Sequence, residues 1–134
     1  MCNEGNRIMT NAKKILVVDD NVTIMRLLEK RLTAEGYSVL TACDGKQGFA
    51  IASREVPDLI VSDVDMPVMD GGEMVSKLKS MPLTSRIPVI FLTGLITKDE
   101  GGPHSSGETF YMSKMSKPAE LIAAVKTQLA LYSK

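Results

Sequence analysis

The chain is poor in the residues that mark several large classes of protein. Its two cysteines, Cys2 and Cys43, lie far apart, so it lacks both a disulfide framework and the paired cysteines of a zinc site. It has no tryptophan and a single histidine, and its 16 basic residues balance its 16 acidic residues. This balance gives no electrostatic basis for binding nucleic acid or a membrane surface.

Long hydrophobic runs are also missing. No stretch approaches the roughly 20 apolar residues of a membrane span, and the polar residues 1–12 lack the apolar core of a secretory signal. We therefore expect a cytoplasmic protein with a flexible N-terminal tail at residues 1–12. Residues 13–134 have the length of one domain, and the 44% hydrophobic content of the chain suffices for a core.

The chain does contain a regular alternation of short apolar runs and amphipathic segments. Runs typical of buried parallel strands lie at about residues 14–18, 37–42, 58–62, 88–92 and from 110 onward. Helical patterns lie at about residues 22–35, 46–54, 73–80 and 119–132. Alternation of this kind predicts a parallel sheet with helices on both faces.

One connection departs from this alternation. Between Thr93 and the fifth predicted strand the pattern requires a helix, but the segment contains Gly101, Gly102 and Pro103. In a helix interior each glycine costs roughly 1 kcal/mol and a proline roughly 3 kcal/mol. We therefore predict that this helix is shortened or replaced by a loop over about residues 98–107.

Acidic residues stand at the ends of two predicted strands. Asp19 and Asp20 follow the first strand, and Asp63 follows the third. Open α/β sheets bind their ligands at the carboxyl ends of the strands, and clustered carboxylates repel one another unless a cation joins them. Oxygen ligands of this kind suit Mg²⁺. The pattern predicts a metal site built around a nucleophilic Asp63.

A hydroxyl group and a lysine complete the set of groups needed for phosphoryl transfer. Thr93 ends the fourth predicted strand, so its hydroxyl lies at the same edge of the sheet as the carboxylates. Lys117, just before Pro118 and the last helix, can bring an ammonium group there. The metal and the lysine would offset charge on the phosphoryl oxygens while the carboxylate accepts the group.

These motifs, in this order, resemble the receiver domain of two-component response regulators over residues 13–133. The matching residues are Asp19-Asp20, Asp63 with Met66-Pro67 and Asp70-Gly71, Thr93, and Lys117-Pro118. The resemblance implies an α/β fold with a doubly wound, five-stranded parallel sheet in the flavodoxin-like order 2-1-3-4-5. It also implies a signalling protein that catalyses only its own phosphorylation and dephosphorylation, and is not otherwise an enzyme.

The resemblance assigns a donor and a metal to the acidic residues. Asp63 would accept a phosphoryl group from a histidine of a sensor histidine kinase or a histidine phosphotransfer protein, and would thereby switch contacts with a downstream protein. Mg²⁺ or Mn²⁺ would be bound by Asp20, Asp63 and the backbone carbonyl of Asp65, with Asp19 acting mainly through water. Nucleic acid and membrane are not expected as partners of this chain.

The resemblance also assigns roles to the hydroxyl group and the lysine. Thr93 would contact the phosphoryl group and Lys117 would pair with it; the bond between Lys117 and Pro118 is often cis in this family. Family members carry an aromatic residue three positions before this lysine, where this chain has Lys114, while Tyr111 lies three positions before Lys114. The repeated triplet Met-Ser-Lys over residues 112–117 leaves open which lysine is the active one, and Pro118 favours Lys117.

Two other functions fit parts of the sequence. A pseudo-receiver, a receiver fold used only for phosphorylation-independent protein binding, would account for the missing aromatic residue and the broken helix. The segment Asp63-Val64-Asp65 also resembles the D-x-D motif of haloacid-dehalogenase-type phosphatases. Those proteins carry the motif on their first strand, however, and Pro67 stands where they have threonine or valine.

Overall fold

The computed structural model describes residues 12–64, 66, 68–93, 104–106, 109–114 and 116–132. The strands are β1 (Lys14–Val18), β2 (Ser38–Ala42), β3 (Leu59–Asp63), β4 (Val89–Thr93), β5 (His104–Ser106) and β6 (Thr109–Ser113). The helices are α1 (Val22–Ala34), α2 (Gly45–Glu55), α3 (Gly71–Lys79) and α4 (Pro118–Tyr132). Among the described residues, no helix combines the length and the apolar character needed to cross a membrane.

The strands form one sheet in the order β2-β1-β3-β4-β6-β5. The first five of these strands run parallel to one another, which confirms the predicted order 2-1-3-4-5. β5 was not predicted: it pairs antiparallel with β6, with His104 opposite Tyr111. The flavodoxin-like sheet therefore carries a short additional strand beside its last parallel strand.

The connection between β4 and β6 can be compared with the prediction only in part. Residues 94–103, 107 and 108 lie outside the described residues, and residues 104–106 form β5. No helix is present in the part of this connection that the structure describes. The predicted tail at residues 1–12 likewise lies outside the described residues, except for Ala12.

Apolar side chains on both faces of the sheet form the core. Every residue of β3 and of β4 is buried, as expected for parallel strands covered by helices on both sides. Successive side chains of a strand point to opposite faces, and in β1 this places Ile15 and Val17 in one cluster and Leu16 and Val18 in the other. The carboxyl ends of the central strands are thereby fixed relative to one another.

Side-chain caps fix three helices at the carboxyl edge of the sheet. The side chains of Asn21, Asp44 and Asp70 accept hydrogen bonds from backbone N–H groups in the first turns of α1, α2 and α3, at 3.1, 2.8 and 2.8 Å. Each cap of this kind stabilises its helix by about 1 kcal/mol. Asp70 of the Asp70-Gly71 motif therefore has a structural role at the start of α3.

Candidate phosphoacceptor site

Neighbouring strands bring the three predicted carboxylates together. β1 and β3 are paired up to Val18 and Ser62, so Asp19 and Asp63 follow side by side. Carboxylate oxygens of Asp19, Asp20 and Asp63 all lie within 4.8 Å of one another. Asp19 and Asp63 are buried and Asp20 is exposed. The cluster is therefore closed on the side of the core and open to solvent at Asp20.

Asp19 has a carboxylate oxygen that lacks a partner. Its Oδ1 accepts the N–H of Asn21 at 2.8 Å, while its buried Oδ2 has no hydrogen-bond partner among the described residues. Burial raises the pKa of Asp19; the hydrogen bond from Asn21 opposes this effect and the charge of Asp63 adds to it. A buried, unpartnered carboxylate oxygen is unfavourable unless a cation or a proton compensates it.

The oxygen set fits a hard divalent cation. Three carboxylates that converge from two strand ends offer the ligands that Mg²⁺ and Mn²⁺ prefer, and the exposed side at Asp20 leaves room for the waters that Mg²⁺ usually retains. The unpartnered Oδ2 of Asp19 also fits this purpose. Asp65, whose backbone carbonyl was predicted as a further ligand, lies outside the described residues.

The lysine that contacts Asp63 is Lys114. Its Nζ lies 3.1 Å from Asp63 Oδ1, and its backbone N–H donates to the carbonyl of Thr93 at 3.0 Å. Burial lowers the pKa of Lys114, but the hydrogen bond to Asp63 and the charges of the three aspartates outweigh burial and raise this pKa above the usual lysine value. Lys114 therefore carries a positive charge beside the Asp63 carboxylate.

Lys117, the lysine chosen from the sequence, is placed differently. It is exposed, its backbone N–H donates to Glu120 Oε1 at 2.8 Å, and its carbonyl accepts the N–H of Glu120 at 2.9 Å. Pro118 opens α4, a position at which proline is favoured because its missing N–H is not needed. The described residues contain no cis peptide bond, so the expectation of a cis bond between Lys117 and Pro118 is wrong.

An aromatic residue lies three positions before Lys114, which is the spacing described above for family members. Tyr111 lies three residues before Lys114 and pairs with Phe91 across β4 and β6. The two rings stack, with centroids 5.4 Å apart and planes inclined by 28°. The expectation that the chain lacks this aromatic residue followed from choosing Lys117. The spacing between Tyr111 and Lys114 is the signal in the sequence that matches the contact between Lys114 and Asp63.

Thr93 lies at the same edge of the sheet as the aspartates. It is the last residue of β4, it is buried, and it pairs with Ser113 at the end of β6. The β4–β6 register therefore places Lys114 directly after the residue opposite Thr93. Asp63, Thr93 and Lys114 thus all come from the carboxyl ends of adjacent parallel strands, the usual position of a ligand site in such a sheet.

We define residues 64–70 as the acceptor loop, of which the structure describes 64, 66 and 68–70, and Gly71 directly after it lies close to Asp63. The N–H of Gly71 donates to the carbonyl of Val64 at 2.9 Å and closes the base of this loop. The carbonyl of Met69 accepts the N–H of Gly45 at 3.1 Å and joins the loop to the start of α2. A Cβ at position 71 would lie 2.8 Å from Cε1 of Phe91 and would also collide with the carbonyl oxygen of Asp63.

Comparison with known protein sequences finds similarity to response regulators. A family model described as the response regulator receiver domain matches residues 15–126. The response regulator PleD of Caulobacter vibrioides is 44% identical over 115 residues, which cover 85% of this chain and 25% of PleD. The alkaline phosphatase synthesis transcriptional regulatory protein PhoP of Bacillus subtilis is 41% identical over 121 residues, 87% of this chain and 48% of PhoP. The chain spans half or less of the length of these two relatives.

Solved structures show the same relationship. The chemotaxis response regulator CheY4 of Vibrio cholerae has a TM-score of 0.76 and 28% identity, over 88% of this chain and 99% of that one. The receiver domain of the sensor histidine kinase PA1611 of Pseudomonas aeruginosa PAO1, solved with a magnesium ion coordinated in its active site cleft, also has a TM-score of 0.76 and 28% identity. That match covers 89% of this chain and 98% of the other.

Proposed function

Because the chain belongs to the response regulator receiver domain family, we propose that it accepts a phosphoryl group on Asp63 in a two-component phosphorelay. The observation that carries the proposal is the surroundings of the Asp63 carboxylate. Two other carboxylates lie within 4.8 Å of it, and the ammonium group of Lys114 lies 3.1 Å away. A nucleophile, oxygen ligands for a cation and a fixed positive charge are thus combined in one partly open site.

The transfer exchanges one bond to phosphorus for another. A carboxylate oxygen of Asp63 forms a bond to phosphorus while the bond between phosphorus and the donor nitrogen breaks, and the donor imidazole leaves with the electron pair of that bond. Asp19, Asp20 and Asp63 would hold Mg²⁺ or Mn²⁺, which when bound offsets negative charge on the phosphoryl oxygens. The product of the transfer is an acyl phosphate on Asp63.

Lys114 and Thr93 supply the remaining contacts. The ammonium group of Lys114 already lies beside an Asp63 oxygen, so it can pair with the phosphoryl group bonded there. The Thr93 hydroxyl would donate a hydrogen bond to another phosphoryl oxygen. We assign the phosphate-pairing role to Lys114 in place of Lys117, because Lys117 belongs to the exposed start of α4.

The proposed donor is a phosphohistidine of a sensor histidine kinase or of a histidine phosphotransfer protein. Similarity to receiver domains of histidine kinases supports a role in a two-component phosphorelay. One of these is the receiver domain of the hybrid histidine kinase CckA, with a TM-score of 0.73 and 30% identity. Phosphorylation would change the contacts of the chain with a downstream protein in the cytoplasm. Beyond the formation and loss of its own phosphoryl group, we propose no catalysis.

Neither alternative function gains support from the site. The pseudo-receiver interpretation depended partly on a missing aromatic residue, and Tyr111 provides that residue in the register of Lys114. The phosphatase interpretation depended on Asp65 as an acid, and the family match identifies a different class of protein.

Labelling with a small phosphodonor tests the proposal. With acetyl phosphate and Mg²⁺, the intact mass of the protein should increase by one phosphoryl group, and Asp63→Asn should abolish this increase. Asp58→Asn is the matched control, because Asp58 lies just before the opposite end of β3, where its carboxylate accepts the backbone N–H of Lys14 at 2.7 Å. Labelling that persists in Asp63→Asn, or that does not need Mg²⁺, would refute the assignment.

A further inference from the structure

Asn21 forms hydrogen bonds both with the acidic cluster and with the first turn of α1. Its backbone N–H donates to Asp19 Oδ1 at 2.8 Å. Its side-chain Oδ1 accepts the N–H of Ile24 at 3.1 Å, and its carbonyl accepts the N–H of Met25 at 2.9 Å. A single exposed residue thus connects the carboxylate of Asp19 to the start of a helix of 13 residues.

The cap on α1 fixes the direction in which the N–H of Asn21 points. Asn21 has a φ of -89° and a ψ of 105°, the extended conformation of an N-cap residue. The N–H groups at the start of a helix have no partner within the helix, so this one is available to Asp19. Without a capping side chain the first turn of α1 would be less stable, and the N–H of residue 21 would be held less firmly. The side chain of Asn21 therefore acts on Asp19 through its own backbone.

The bond from Asn21 makes the two oxygens of the Asp19 carboxylate different. Oδ1 is occupied by the N–H of Asn21, whereas Oδ2 is buried and has no hydrogen-bond partner among the described residues. The backbone of Asp19 is fixed as well, since its N–H donates to the carbonyl of Ala42 at 3.1 Å. Asp19 is thereby held with one buried oxygen that a cation or a proton can compensate.

We propose that Asn21 is a positioning residue for the metal site: by capping α1 it keeps its N–H on Asp19 Oδ1 and leaves Oδ2 available to a divalent cation. The inference rests on the proposed function, because it concerns the metal site of Asp19, Asp20 and Asp63. A carboxylate that is already ordered loses little conformational freedom when the ion binds. Asn21 thereby raises the affinity of the protein for Mg²⁺ through Asp19.

Asn21→Ala tests the inference, because it removes the cap and keeps the backbone N–H. The variant should bind Mg²⁺ about threefold to tenfold more weakly than the wild-type protein, which is the range by which loss of an N-cap shifts a local equilibrium. Asn21→Ser should restore the wild-type affinity, since serine caps a helix about as well as asparagine. Isothermal titration calorimetry with MgCl₂ measures the affinities, and thermal unfolding without Mg²⁺ measures the stability of each variant.

A second helix cap separates the role of Asn21 from a general loss of stability. Asp44 caps α2 in the same way, with its Oδ1 accepting the N–H of Gln47 at 2.8 Å, and it is not one of the three clustered carboxylates. Asp44→Ala should lower the melting temperature about as much as Asn21→Ala, and it should bind Mg²⁺ with the same affinity as Asp44→Asn. Asp44→Asn is the reference for this comparison, because it removes the same charge and keeps the cap.

The possible outcomes distinguish this inference from the proposed function. Wild-type Mg²⁺ affinity in Asn21→Ala, equally weak binding by Asn21→Ser, or an equal loss of affinity from Asp44→Asn to Asp44→Ala would overturn the role of Asn21. In that case, labelling of Asp63 by acetyl phosphate would still support the proposed function. A wild-type protein that neither binds Mg²⁺ nor becomes labelled would overturn both.

Discussion

Replacing Lys114 by methionine removes the positive charge that contacts Asp63 and keeps a side chain of similar shape. In the present structure this charge lies 3.1 Å from Asp63 Oδ1, beside a cluster of three carboxylates. The ammonium group therefore does two things that should separate experimentally. It repels an incoming cation, and it offsets negative charge where the phosphoryl group is to be bound.

The size of the effect follows from the geometry of the pair. Two unit charges about 4 Å apart interact by about 4 kcal/mol at the effective dielectric constant of about 20 found near protein surfaces. The Lys114 side chain is 33% exposed and that of Asp63 is 5% exposed, so solvent screening and desolvation reduce this value. A net effect of about 1–2 kcal/mol remains, or roughly tenfold in an equilibrium constant.

We therefore expect opposite changes in metal binding and in labelling. Lys114→Met should bind Mg²⁺ on the order of tenfold more tightly, because repulsion between the ammonium group and the cation is lost. At saturating Mg²⁺, labelling by acetyl phosphate should be at least roughly tenfold slower, because one group that offsets the charge of the transferring phosphoryl is lost. Titration calorimetry and a time course of intact mass measure the two quantities.

Lys117→Met is the matched control, since it removes an equal charge three residues further along the chain. Lys117 is exposed and its backbone takes part in the start of α4, so this variant should change neither quantity by more than about twofold. If Lys117→Met slowed labelling and Lys114→Met did not, the ion pair between Lys114 and Asp63 would have no part in phosphoryl transfer. That result would support Lys117, the lysine predicted from the sequence, as the phosphate-pairing residue.

Two further predictions concern stability. Burial raises the pKa of Asp19, so the folded protein binds this proton more tightly than the unfolded chain, and the stability of the metal-free protein falls as the pH rises through the folded pKa. Asp19→Asn should therefore melt at a higher temperature than the wild-type protein at pH 7 without Mg²⁺. A lower melting temperature of the variant, or a difference between the two melting temperatures that does not shrink in acid, would contradict this explanation. Gly71→Ala should lower the melting temperature, because the new Cβ would lie 2.8 Å from Phe91 Cε1 and would collide with the Asp63 carbonyl. Gly72→Ala is the control, since a Cβ at position 72 would lie 3.5 Å from its nearest neighbour, Asp70 Oδ1. Equal melting temperatures for Gly71→Ala and Gly72→Ala would show that α3 moves away from Asp63 at little cost.

The parallel sheet was predictable because its strands are buried on both faces. In a chain of otherwise mixed composition, β1, β3 and β4 stand out as short apolar runs followed by polar residues. β5 carries no such signal. The sequence His104-Ser105-Ser106 has little intrinsic preference for a strand, and its conformation results from pairing with β6.

The acidic part of the site was predictable for the same reason as the strands. Asp19 and Asp63 directly follow buried runs, so their positions depend only on the strand ends. Which lysine reaches Asp63 depends on the register between β4 and β6, in which Phe91 pairs with Tyr111. The apolar pattern of the sequence does not give this register. The proline after Lys117 predicts that this lysine belongs to the site, whereas in the structure this proline begins α4. The left-handed backbone of Val68 had no signal in the sequence, because valine disfavours that conformation.

The antiparallel pairing of β5 with β6 also changes what the sheet presents to a neighbouring molecule. Without β5, the five residues of β6 would leave one row of backbone N–H and C=O groups unpaired. In the described structure the outermost strand on that side is β5, which has only three residues and runs in the opposite direction. Short edge strands are poor templates for strand addition by another chain. The pairing with β5 thus protects residues 109–111 of β6, the strand that leads to Lys114, from aggregation through this edge.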